Sequence, residues 1–223
     1  MASKLVGIVG ATGTGKSTSI KHLDSKETYI INVAKKELPF KGSEKLYNLE
    51  NRNYKEVDEI TEITRLLKTI SEKAEHIKNV IIEDSNYMMA FRMAEKATEV
   101  GYTKFTILAK DMVDLFREAR KLRDDLKVFY FTHPETIEDA GEIIGYKMKT
   151  SGKMLDNQIT LEGLFTICLY TLVEENKDGS VNYNFITNRY KKYSAKSPDG
   201  MFSDIKIANN LQIVVDKIND YYN

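Results

Sequence analysis

The sequence contains no tryptophan, three prolines and one cysteine among its 223 residues. A single cysteine cannot form an internal disulfide, which suits a reducing compartment. The surroundings of Cys168 are apolar, so we expect a small buried side chain rather than a nucleophile. No apolar run reaches the length of a membrane span, and the N-terminus lacks a secretory apolar segment with a cleavage site. These absences predict a cytoplasmic protein without a membrane partner.

Net charge is absent as well, because 33 Lys and Arg residues are balanced by 33 Asp and Glu residues. Such a chain has no overall field that would attract nucleic acid or an anionic membrane, so any polyanion must bind to a local patch. Hydrophobic residues make up 42% of the chain, which is enough for a sizeable core at this length. We expect one domain over residues 1–223, with a core over about 1–160 and an extension over about 161–223.

A glycine-rich segment carries the clearest functional signal. Residues Gly10–Ser17 match the pattern G-x-x-x-x-G-K-[ST] and follow an apolar run, Leu5–Val9, that predicts a buried strand. Glycines let the turn point its backbone N–H groups inward, and a helix beginning near Lys16 adds its positive end. Lys16 would contact the β- and γ-phosphates, and the Ser17 hydroxyl would hold Mg²⁺. The segment predicts a nucleoside triphosphate site formed by Gly10, Ala11, Thr12, Gly13, Thr14, Gly15, Lys16, Ser17 and Thr18.

Apolar, strand-like runs alternate with amphipathic helical patterns through more than half of the chain. Continuous apolar strands separated by helices are typical of a parallel sheet that is covered on both faces. We therefore predict an α/β fold with a mostly parallel central sheet flanked by helices. The predicted strands are Leu5–Val9, Thr28–Val33, Val80–Glu83 and Val128–Thr132, and the predicted helices are Lys16–Leu23, Val57–Ile77 and Ile107–Leu126.

The pattern changes after the fourth predicted strand. Two further strands, Leu164–Glu174 and Val181–Thr187, flank the turn sequence Asn176–Gly179 and predict a C-terminal antiparallel β-hairpin extension. The tail Ile205–Tyr222 has helical spacing. Residues 35–53 are polar and irregular, which indicates a long surface connection.

Glu83 and Asp84 end a predicted apolar strand, as in a Walker B element, where a carboxylate at the end of the strand holds the Mg²⁺ shell. Adjacent strand residues point to opposite faces of a sheet, so the two acids are expected to have different roles. We assign Asp84 to the metal. Glu83 is a candidate for orienting the attacking water, and Glu37, after the second strand, is its rival. Thr132 and His133 end a neighbouring strand and would sense the γ-phosphate, unless His133 is only a turn residue.

Two groups of basic residues follow the fourth predicted strand. Cations interleaved with aromatic side chains suit single-stranded nucleic acid, because phosphates meet the charge and bases stack on the rings. They also suit a cationic finger that reaches the γ-phosphate in a neighbouring subunit, whereas the simplest alternative is a solvated charged loop. The first group, Lys147, Lys149 and Lys153, lies in a segment predicted to be flexible, and the second comprises Arg189, Lys191, Lys192 and Lys196 with Tyr190 and Tyr193 between them.

The order of these elements resembles the RecA-like P-loop ATPases, and among them the compact phage recombination ATPases of the Sak type, which work with single-strand DNA annealing. The resemblance covers most of the chain. It includes Gly10–Ser17, Val80–Ser85, Phe131–His133, the segment Gly145–Lys153 and the stretch Thr187–Phe202 after the predicted hairpin.

The resemblance implies a RecA-like core that uses ATP and Mg²⁺ at the interface of a homo-oligomer, a ring or a filament, and that binds single-stranded DNA in recombination or replication. In such a protein Lys16 would be catalytic, and His133 would couple ATP to DNA binding by Gly145–Lys153. A single-strand-binding protein would be a further partner, and a phage-encoded protein would act in the host cytoplasm. The residue acting in trans would be Arg189, Lys191, Lys192 or Lys196.

One departure from the family pattern concerns the second strand. RecA-like proteins carry a catalytic glutamate just after this strand, but here the strand ends in Asn32–Lys36 and Glu37 is displaced. We therefore expect an ATPase that is slow or stimulated by DNA, unless Glu83 substitutes for the missing glutamate.

Two other functions share the phosphate-binding motif. A nucleotide-dependent adaptor, such as a motor or a helicase loader, would bind a protein in place of DNA. A P-loop kinase for a nucleotide or metabolite would need an arginine-rich lid over the phosphates, and Arg117–Arg123 is the nearest candidate. Because this segment has an amphipathic helical pattern, the kinase ranks behind the other two functions.

Overall fold

The computed structural model describes residues 2–101, 103–149 and 160–222. None of the helices in these ranges is long and apolar enough to cross a membrane. The strands are β1 (Lys4–Val9), β2 (Thr28–Asn32), β3 (Tyr54–Glu56), β4 (Asn79–Glu83), β5 (Lys127–Thr132), β6 (Pro134–Asp139), β7 (Glu142–Met148), β8 (Ile167–Glu175), β9 (Val181–Ile186) and β10 (Lys206–Ala208). The α-helices are α1 (Ser43–Leu46), α2 (Ile60–Lys73), α3 (Tyr87–Glu95), α4 (Thr103–Ala119) and α5 (Leu211–Tyr222), and 3₁₀ helices span Ser17–His22 and Leu161–Leu164.

Within the described residues, eight of these strands form one sheet in the order β10-β9-β8-β1-β5-β4-β2-β3. Neighbours from β8 to β3 run parallel, whereas β9 pairs antiparallel with both β8 and β10. Strands β6 and β7 form a separate antiparallel pair, the β6–β7 hairpin. The predicted mixed α/β fold, with a mostly parallel sheet and flanking helices, is confirmed. The predicted antiparallel hairpin is also confirmed, and it consists of β8 and β9.

Alternate side chains of the central strands enter two hydrophobic cores, one on each face of the sheet. In β1, Leu5 and Val9 belong to the core that contains α2 and α4, whereas Val6 and Ile8 belong to the core that contains α5. Burial on both faces fixes the register of the strands and therefore the position of each C-terminal end. The core-facing positions of α2 recur at three- and four-residue intervals, and they include Ile60, Ile63, Leu67 and Ile70.

The position of β1 determines where a ligand site can form. Strand β1 lies between β5 and β8. After β1 the chain continues to β2, which lies on the β5 side of the sheet, whereas β8 lies on the opposite side of β1 and comes much later in the sequence. In open α/β sheets, ligands bind beyond the C-terminal ends of the strands at such a reversal. The glycine-rich loop, Gly10–Ser17, follows this end of β1, so it occupies that position.

Some helix boundaries differ from the sequence prediction. The helix predicted at Lys16–Leu23 is a 3₁₀ helix at Ser17–His22. Helix α2 begins later than predicted because Glu59 caps it, and the Glu59 carboxylate accepts a hydrogen bond from the Glu62 N–H at 2.6 Å. Helix α4 lies nearer the N-terminus than the predicted Ile107–Leu126.

The segment after β5 requires the largest correction. The sequence predicts a flexible segment over Gly145–Lys153, but Gly145–Met148 belong to β7, which pairs with β6. Strand β6 is mostly exposed and acidic, so it lacks the apolar alternation that marks a half-buried strand. The short alternation of Ile144, Tyr146 and Met148 in β7 is a signal that the prediction missed. Residues 150–159, which include the candidate Lys153, lie outside the described residues. The predicted tail helix is also shorter, because β10 precedes α5.

Candidate functional site

A cavity of about 660 Å³ lies beside the glycine-rich loop. This volume is in the range of small-molecule sites, about 300–1,000 Å³. Loop residues from Ala11 to Thr18 line part of the cavity. Other lining residues come from distant parts of the chain and include Lys36, Tyr87, His133, Tyr183 and Asn209.

Hydrogen bonds hold the glycine-rich loop against the sheet. The Gly10 N–H donates to the Thr132 carbonyl at 3.0 Å, and the hydroxyls of Thr14 and Thr171 lie 2.6 Å apart. A Cβ at position 10 would lie 2.2 Å from Thr171 Oγ1, so the position requires glycine. Gly15 has φ +82°, a left-handed conformation that disfavours any side chain. The loop conformation therefore depends on glycine at both positions.

The Lys16 side chain is buried and faces two carboxylates. Its Nζ lies 3.3 Å from Asp84 Oδ1 and 3.9 Å from Glu83 Oε1. The Ser17 hydroxyl donates a hydrogen bond to the same Glu83 oxygen. Strand β5 pairs with both β1 and β4, so the ends of these three strands bring the acids to the loop. The structure thus brings together the cation, the hydroxyl and the two acids that the sequence singles out.

Both acids face the same site, contrary to the prediction that neighbouring strand residues point in opposite directions. Strand β4 ends at Glu83, and Asp84 has a left-handed backbone conformation with φ +54°. This conformation is uncommon for a residue with a side chain, and it breaks the alternation of the strand. Such backbone strain is concentrated at functional sites, where surrounding contacts maintain it. The conformation of Asp84 therefore places two carboxylates beside one lysine.

Burial and charge give the two carboxyls different protonation behaviour. Burial raises the pKa of the Glu83 carboxyl above its ordinary value, although Lys16 and the Ser17 hydroxyl act in the opposite direction. Burial also favours the neutral form of Asp84, but the cations Lys16 and Lys36 outweigh it and lower the pKa of Asp84. Asp84 is therefore the ionised acid at neutral pH, and Glu83 is the acid that retains a proton more readily.

His133 lies next to the acid pair, with its Nε2 3.6 Å from Asp84 Oδ1. Burial and the Lys16 cation lower the pKa of His133 below its ordinary 6.5, and Asp84 acts in the opposite direction. We expect an NMR titration to give His133 a pKa below 6.5 in the wild type and a lower one in Asp84→Asn. A His133→Gln variant assigns the resonance. A pKa that rises in Asp84→Asn would show that this arrangement of charges is wrong.

Three residues that line the cavity have no role in the sequence prediction. Lys36 forms an ion pair through its Nζ with Asp84 Oδ2. Asn209 Nδ2 donates to a carbonyl of the glycine-rich loop at 3.1 Å, and Tyr183 also lines the cavity. Tyr183 lies in β9 and Asn209 follows β10, so only the pairing of these strands brings them to the loop. Lys36 follows the C-terminal end of β2, at the same edge of the sheet as the glycine-rich loop. This position after a strand is a sequence signal by which Lys36 could have been identified.

The structure does not bring Glu37 into this cavity. Glu37 is exposed and lines a different cavity together with Tyr47 and Tyr54. Of the two candidates for orienting water, Glu83 contacts the glycine-rich loop through Ser17. Glu37 is not among the described residues that line the cavity beside this loop. Thr132 is buried at the end of β5, and its hydroxyl has no hydrogen-bond partner in the described part of the chain.

The cations proposed to act in trans lie away from the cavity. Arg189, Lys191 and Lys192 are exposed in a turn that contacts β7, where the Tyr146 N–H donates to the Lys192 carbonyl at 3.0 Å. Lys196 pairs with β8 through two backbone hydrogen bonds of 2.8 Å. These four cations are not among the described residues that line the cavity of their own chain.

Two of the DNA-binding candidates, Lys147 and Lys149, lie at the base of the β6–β7 hairpin. Lys147 lies in β7 opposite Glu135 of β6. Lys149 follows the hairpin, and its backbone N–H donates to the His133 carbonyl at 2.9 Å. The base of the hairpin is therefore connected directly to a residue that lines the cavity.

Among the described residues, no group of three or more His, Cys, Asp or Glu side chains is arranged to hold a metal ion. Mg²⁺ does not need such a cage, because it keeps several waters and binds one or two carboxylates together with the phosphates of a nucleotide. Ser17 and Glu83 already contact each other, and Glu83 Oε2 is buried without a hydrogen-bond partner in the described ranges. This donor set fits Mg²⁺ that binds with a nucleotide.

Comparisons with known proteins leave the family open. No protein-family model matches the sequence, and no curated protein matches it either. Inference of function therefore rests on the sequence motif and the geometry of the site.

Proposed function

We propose that the protein is a RecA-like P-loop ATPase that binds ATP and Mg²⁺ at Gly10–Ser17 and acts on single-stranded DNA in phage-type recombination or replication. The observation that carries the proposal is the position of Lys16, a buried ammonium group that lines the cavity beside a glycine-rich turn. The phosphates would bind this ammonium group and the backbone N–H groups of the loop. The exact match to the phosphate-binding motif supports the same ligand.

Mg²⁺ would be held by the Ser17 hydroxyl and by a carboxylate, and the contacts favour Glu83 over Asp84. Glu83 accepts the hydrogen bond of Ser17, whereas Asp84 contacts Lys16 and Lys36. This proposal exchanges the roles that the sequence alone suggests for the two acids. Bound Mg²⁺ would neutralise the charge that develops on the phosphates during transfer.

Asp84 is then the acid available to orient the attacking water. Its lowered pKa keeps it ionised, and its Oδ1 lies 3.6 Å from His133 Nε2. Thr132, at the end of β5, and His133, which follows it and lines the cavity, would respond to the γ-phosphate. Because Lys16 and Lys36 both contact Asp84 before nucleotide binds, we expect slow hydrolysis unless DNA stimulates it.

The turn that carries Arg189, Lys191 and Lys192 supports both an oligomer and a nucleic acid partner. These cations are exposed and lie outside the cavity of their own chain, so they would act on a nucleotide bound to a neighbour in a ring or filament. Lys191 Nζ lies 5.2 Å from the centre of the Tyr190 ring, and such pairs of cation and aromatic ring suit single-stranded DNA. The lysines at the base of the β6–β7 hairpin would add phosphate contacts, and a single-strand-binding protein would be a further partner.

Replacing Lys191, Lys192 and Lys196 together by alanine is expected to lower ATP turnover at least about tenfold, because a cation in trans stabilises the charge of phosphoryl transfer. The monomer should fold normally, since the backbone of Lys196 makes its contacts with β8. Phosphate release and circular dichroism measure the two properties. Unchanged turnover would rule out a role in trans for these lysines.

The proposed function is tested by ATP hydrolysis measured with and without single-stranded DNA, together with the native mass in the presence of an ATP analogue. We expect DNA to raise hydrolysis and the analogue to produce an assembly larger than one chain. DNA affinity should fall steeply with salt, because the chain is neutral overall and the contacts are to phosphates. Double-stranded DNA of equal length is the control. A protein that neither hydrolyses ATP nor assembles with it would not be this ATPase.

A second candidate, a nucleotide-dependent adaptor, is favoured by the far end of the β6–β7 hairpin. Glu138, Asp139 and Glu142 make this end acidic, and Ile137 and Ile144 are exposed. Acidic side chains repel DNA phosphates, whereas exposed isoleucines suit a protein surface. An adaptor would capture a protein partner only with ATP, would lose it when both isoleucines become serine, and would show no affinity for DNA.

The kinase alternative loses its candidate lid in the structure. The Arg123 guanidinium donates to the carbonyls of Ile70 and Ser71 at 2.9 and 3.1 Å, and that of Arg120 donates to the Leu164 carbonyl. These arginines connect the end of α4 to neighbouring segments and do not line the cavity in the described chain. We therefore propose no kinase activity.

A further inference from the structure

Lys36 lies in the connection after β2, next to the candidate Glu37, and the sequence prediction gives Lys36 itself no role in the site. Its Nζ contacts Asp84 Oδ2, while the Nζ of Lys16 lies 3.3 Å from Asp84 Oδ1. Two ammonium groups from different segments therefore hold one carboxylate. The Lys36 side chain is 52% exposed and lines the same cavity as the glycine-rich loop.

The backbone around Lys36 is fixed by neighbouring contacts. The buried Asn32 side chain donates from its Nδ2 to the Lys36 carbonyl at 2.6 Å and to Tyr54 Oη at 2.7 Å. Lys35 has a left-handed backbone with φ +55°, and its Nζ lies 3.3 Å from Asp58 Oδ2. The two adjacent lysines thus have different acidic partners, and only Lys36 lines the cavity within the described residues.

A carboxylate that bridges two ammonium groups offers them contacts similar to those of a phosphoryl group. Both groups offer neighbouring oxygens to a cation, but a terminal phosphate carries more charge and more oxygens. Because the Lys36 side chain is half exposed, its ammonium group remains in contact with solvent and can exchange the Asp84 carboxylate for another anion in the cavity. A triphosphate in the cavity would therefore compete with Asp84 for both lysines.

We propose that Lys36 contacts the γ-phosphate of a nucleotide bound to its own chain, and that it pairs with Asp84 when the nucleotide is absent. This inference rests on the proposed nucleotide site. ADP has no γ-phosphate and leaves the pair with Asp84 in place, so Lys36 distinguishes ATP from ADP. The same exchange releases Asp84 Oδ2 to accept a hydrogen bond from the attacking water.

The test compares the binding of fluorescent ATP and ADP to the full chain, to Lys36→Ala and to the matched control Lys35→Ala. We expect Lys36→Ala to weaken ATP binding about tenfold and to leave ADP binding unchanged, because it removes one charge-assisted contact. Lys35→Ala removes the same charge from the adjacent position and should leave both affinities unchanged. Lys36→Arg should restore the preference for ATP.

Each remaining outcome has a distinct meaning. If the wild type binds ATP and Lys36→Ala keeps the same ratio of ATP to ADP affinity, the role of Lys36 is overturned while the nucleotide site stands. If Lys35→Ala and Lys36→Ala lose ATP affinity equally, the effect is one of general charge and the role is again overturned. A wild type that binds neither nucleotide overturns the site and this inference together. If Lys36→Ala does not fold, the comparison is repeated with Lys36→Gln, which keeps most of the length of the side chain and removes its charge.

Discussion

Replacing Lys16 by alanine is expected to weaken ATP binding about 100- to 1,000-fold, because truncating one partner of a buried charge pair costs about 3–4 kcal/mol. The Lys16 side chain is only 5% exposed, and it separates a cavity for phosphates from two acids. Without this ammonium group, a phosphate entering the cavity would meet the charge of Asp84 with only Lys36 to compensate. Repulsion therefore adds to the lost contact. Titration with fluorescent ATP measures the change.

Lys45→Ala is the matched control for this variant, because Lys45 is an exposed lysine in α1. Stability must be compared as well, since Lys16 helps to lower the pKa of Asp84. A carboxyl with a lowered pKa stabilises the folded state above its ordinary value of 3.8, and this contribution is lost as the pH falls through the folded pKa. Lys16→Ala should therefore be folded but less stable than the wild type at pH 7, and the difference in stability should shrink as the pH falls below 3.8. Wild-type affinity for ATP in the folded variant would contradict the assignment of Lys16.

Glu83→Gln and Asp84→Asn are each expected to lower ATP hydrolysis about 100-fold, for different reasons. Glu83→Gln keeps an oxygen that can accept the hydrogen bond of Ser17 but removes the charge, so the reaction should need a higher Mg²⁺ concentration. Asp84→Asn leaves the contact between Ser17 and Glu83 intact and removes the acid that we propose orients water. ATP should bind this variant at least as tightly as the wild type, because less negative charge faces the phosphates. Phosphate release over a range of Mg²⁺ concentrations separates the two effects.

Glu37→Gln tests the rival acid in the same assay. Glu37 lines a different cavity from the glycine-rich loop, so hydrolysis by this variant should stay at the wild-type level. Loss of hydrolysis in Glu37→Gln, with activity retained in Asp84→Asn and Glu83→Gln, would show that the catalytic acids are assigned wrongly. The nucleotide site itself would be unaffected by that result.

The central part of the fold can be predicted from the sequence because its strands are buried on both faces. Strands β1, β2, β4 and β5 therefore appear as continuous apolar runs at nearly their observed bounds. The β6–β7 hairpin cannot be recognised in this way, because β6 is mostly exposed and acidic and β7 has no continuous apolar run, only the short alternation of Ile144, Tyr146 and Met148. Strands β3 and β10 have three residues each, too few to establish a period.

The sequence pattern identifies residues of the candidate site where they follow a strand end, and it misses residues that tertiary packing brings to the cavity. Glu83 and Asp84 can be found because they follow an apolar strand, but their common direction depends on the positive φ of Asp84. Asn209 reaches the Thr14 carbonyl from 195 residues further along the chain, and no local pattern marks such a contact. Lys36 is an intermediate case. Its position after β2 can be read from the sequence, but its ion pair with Asp84 depends on the fold.

The central claim, that the loop Gly10–Ser17 binds ATP through Lys16, is tested most directly by calorimetric titration with ATP. The wild type and Lys16→Ala are titrated in parallel, with and without Mg²⁺. The proposed site predicts a single ATP per wild-type chain, tighter binding when Mg²⁺ is present and binding to Lys16→Ala that is weaker by about 100- to 1,000-fold. A wild type that does not bind at millimolar ATP, or a Lys16→Ala variant that binds equally well, would show that this loop is not a nucleotide site.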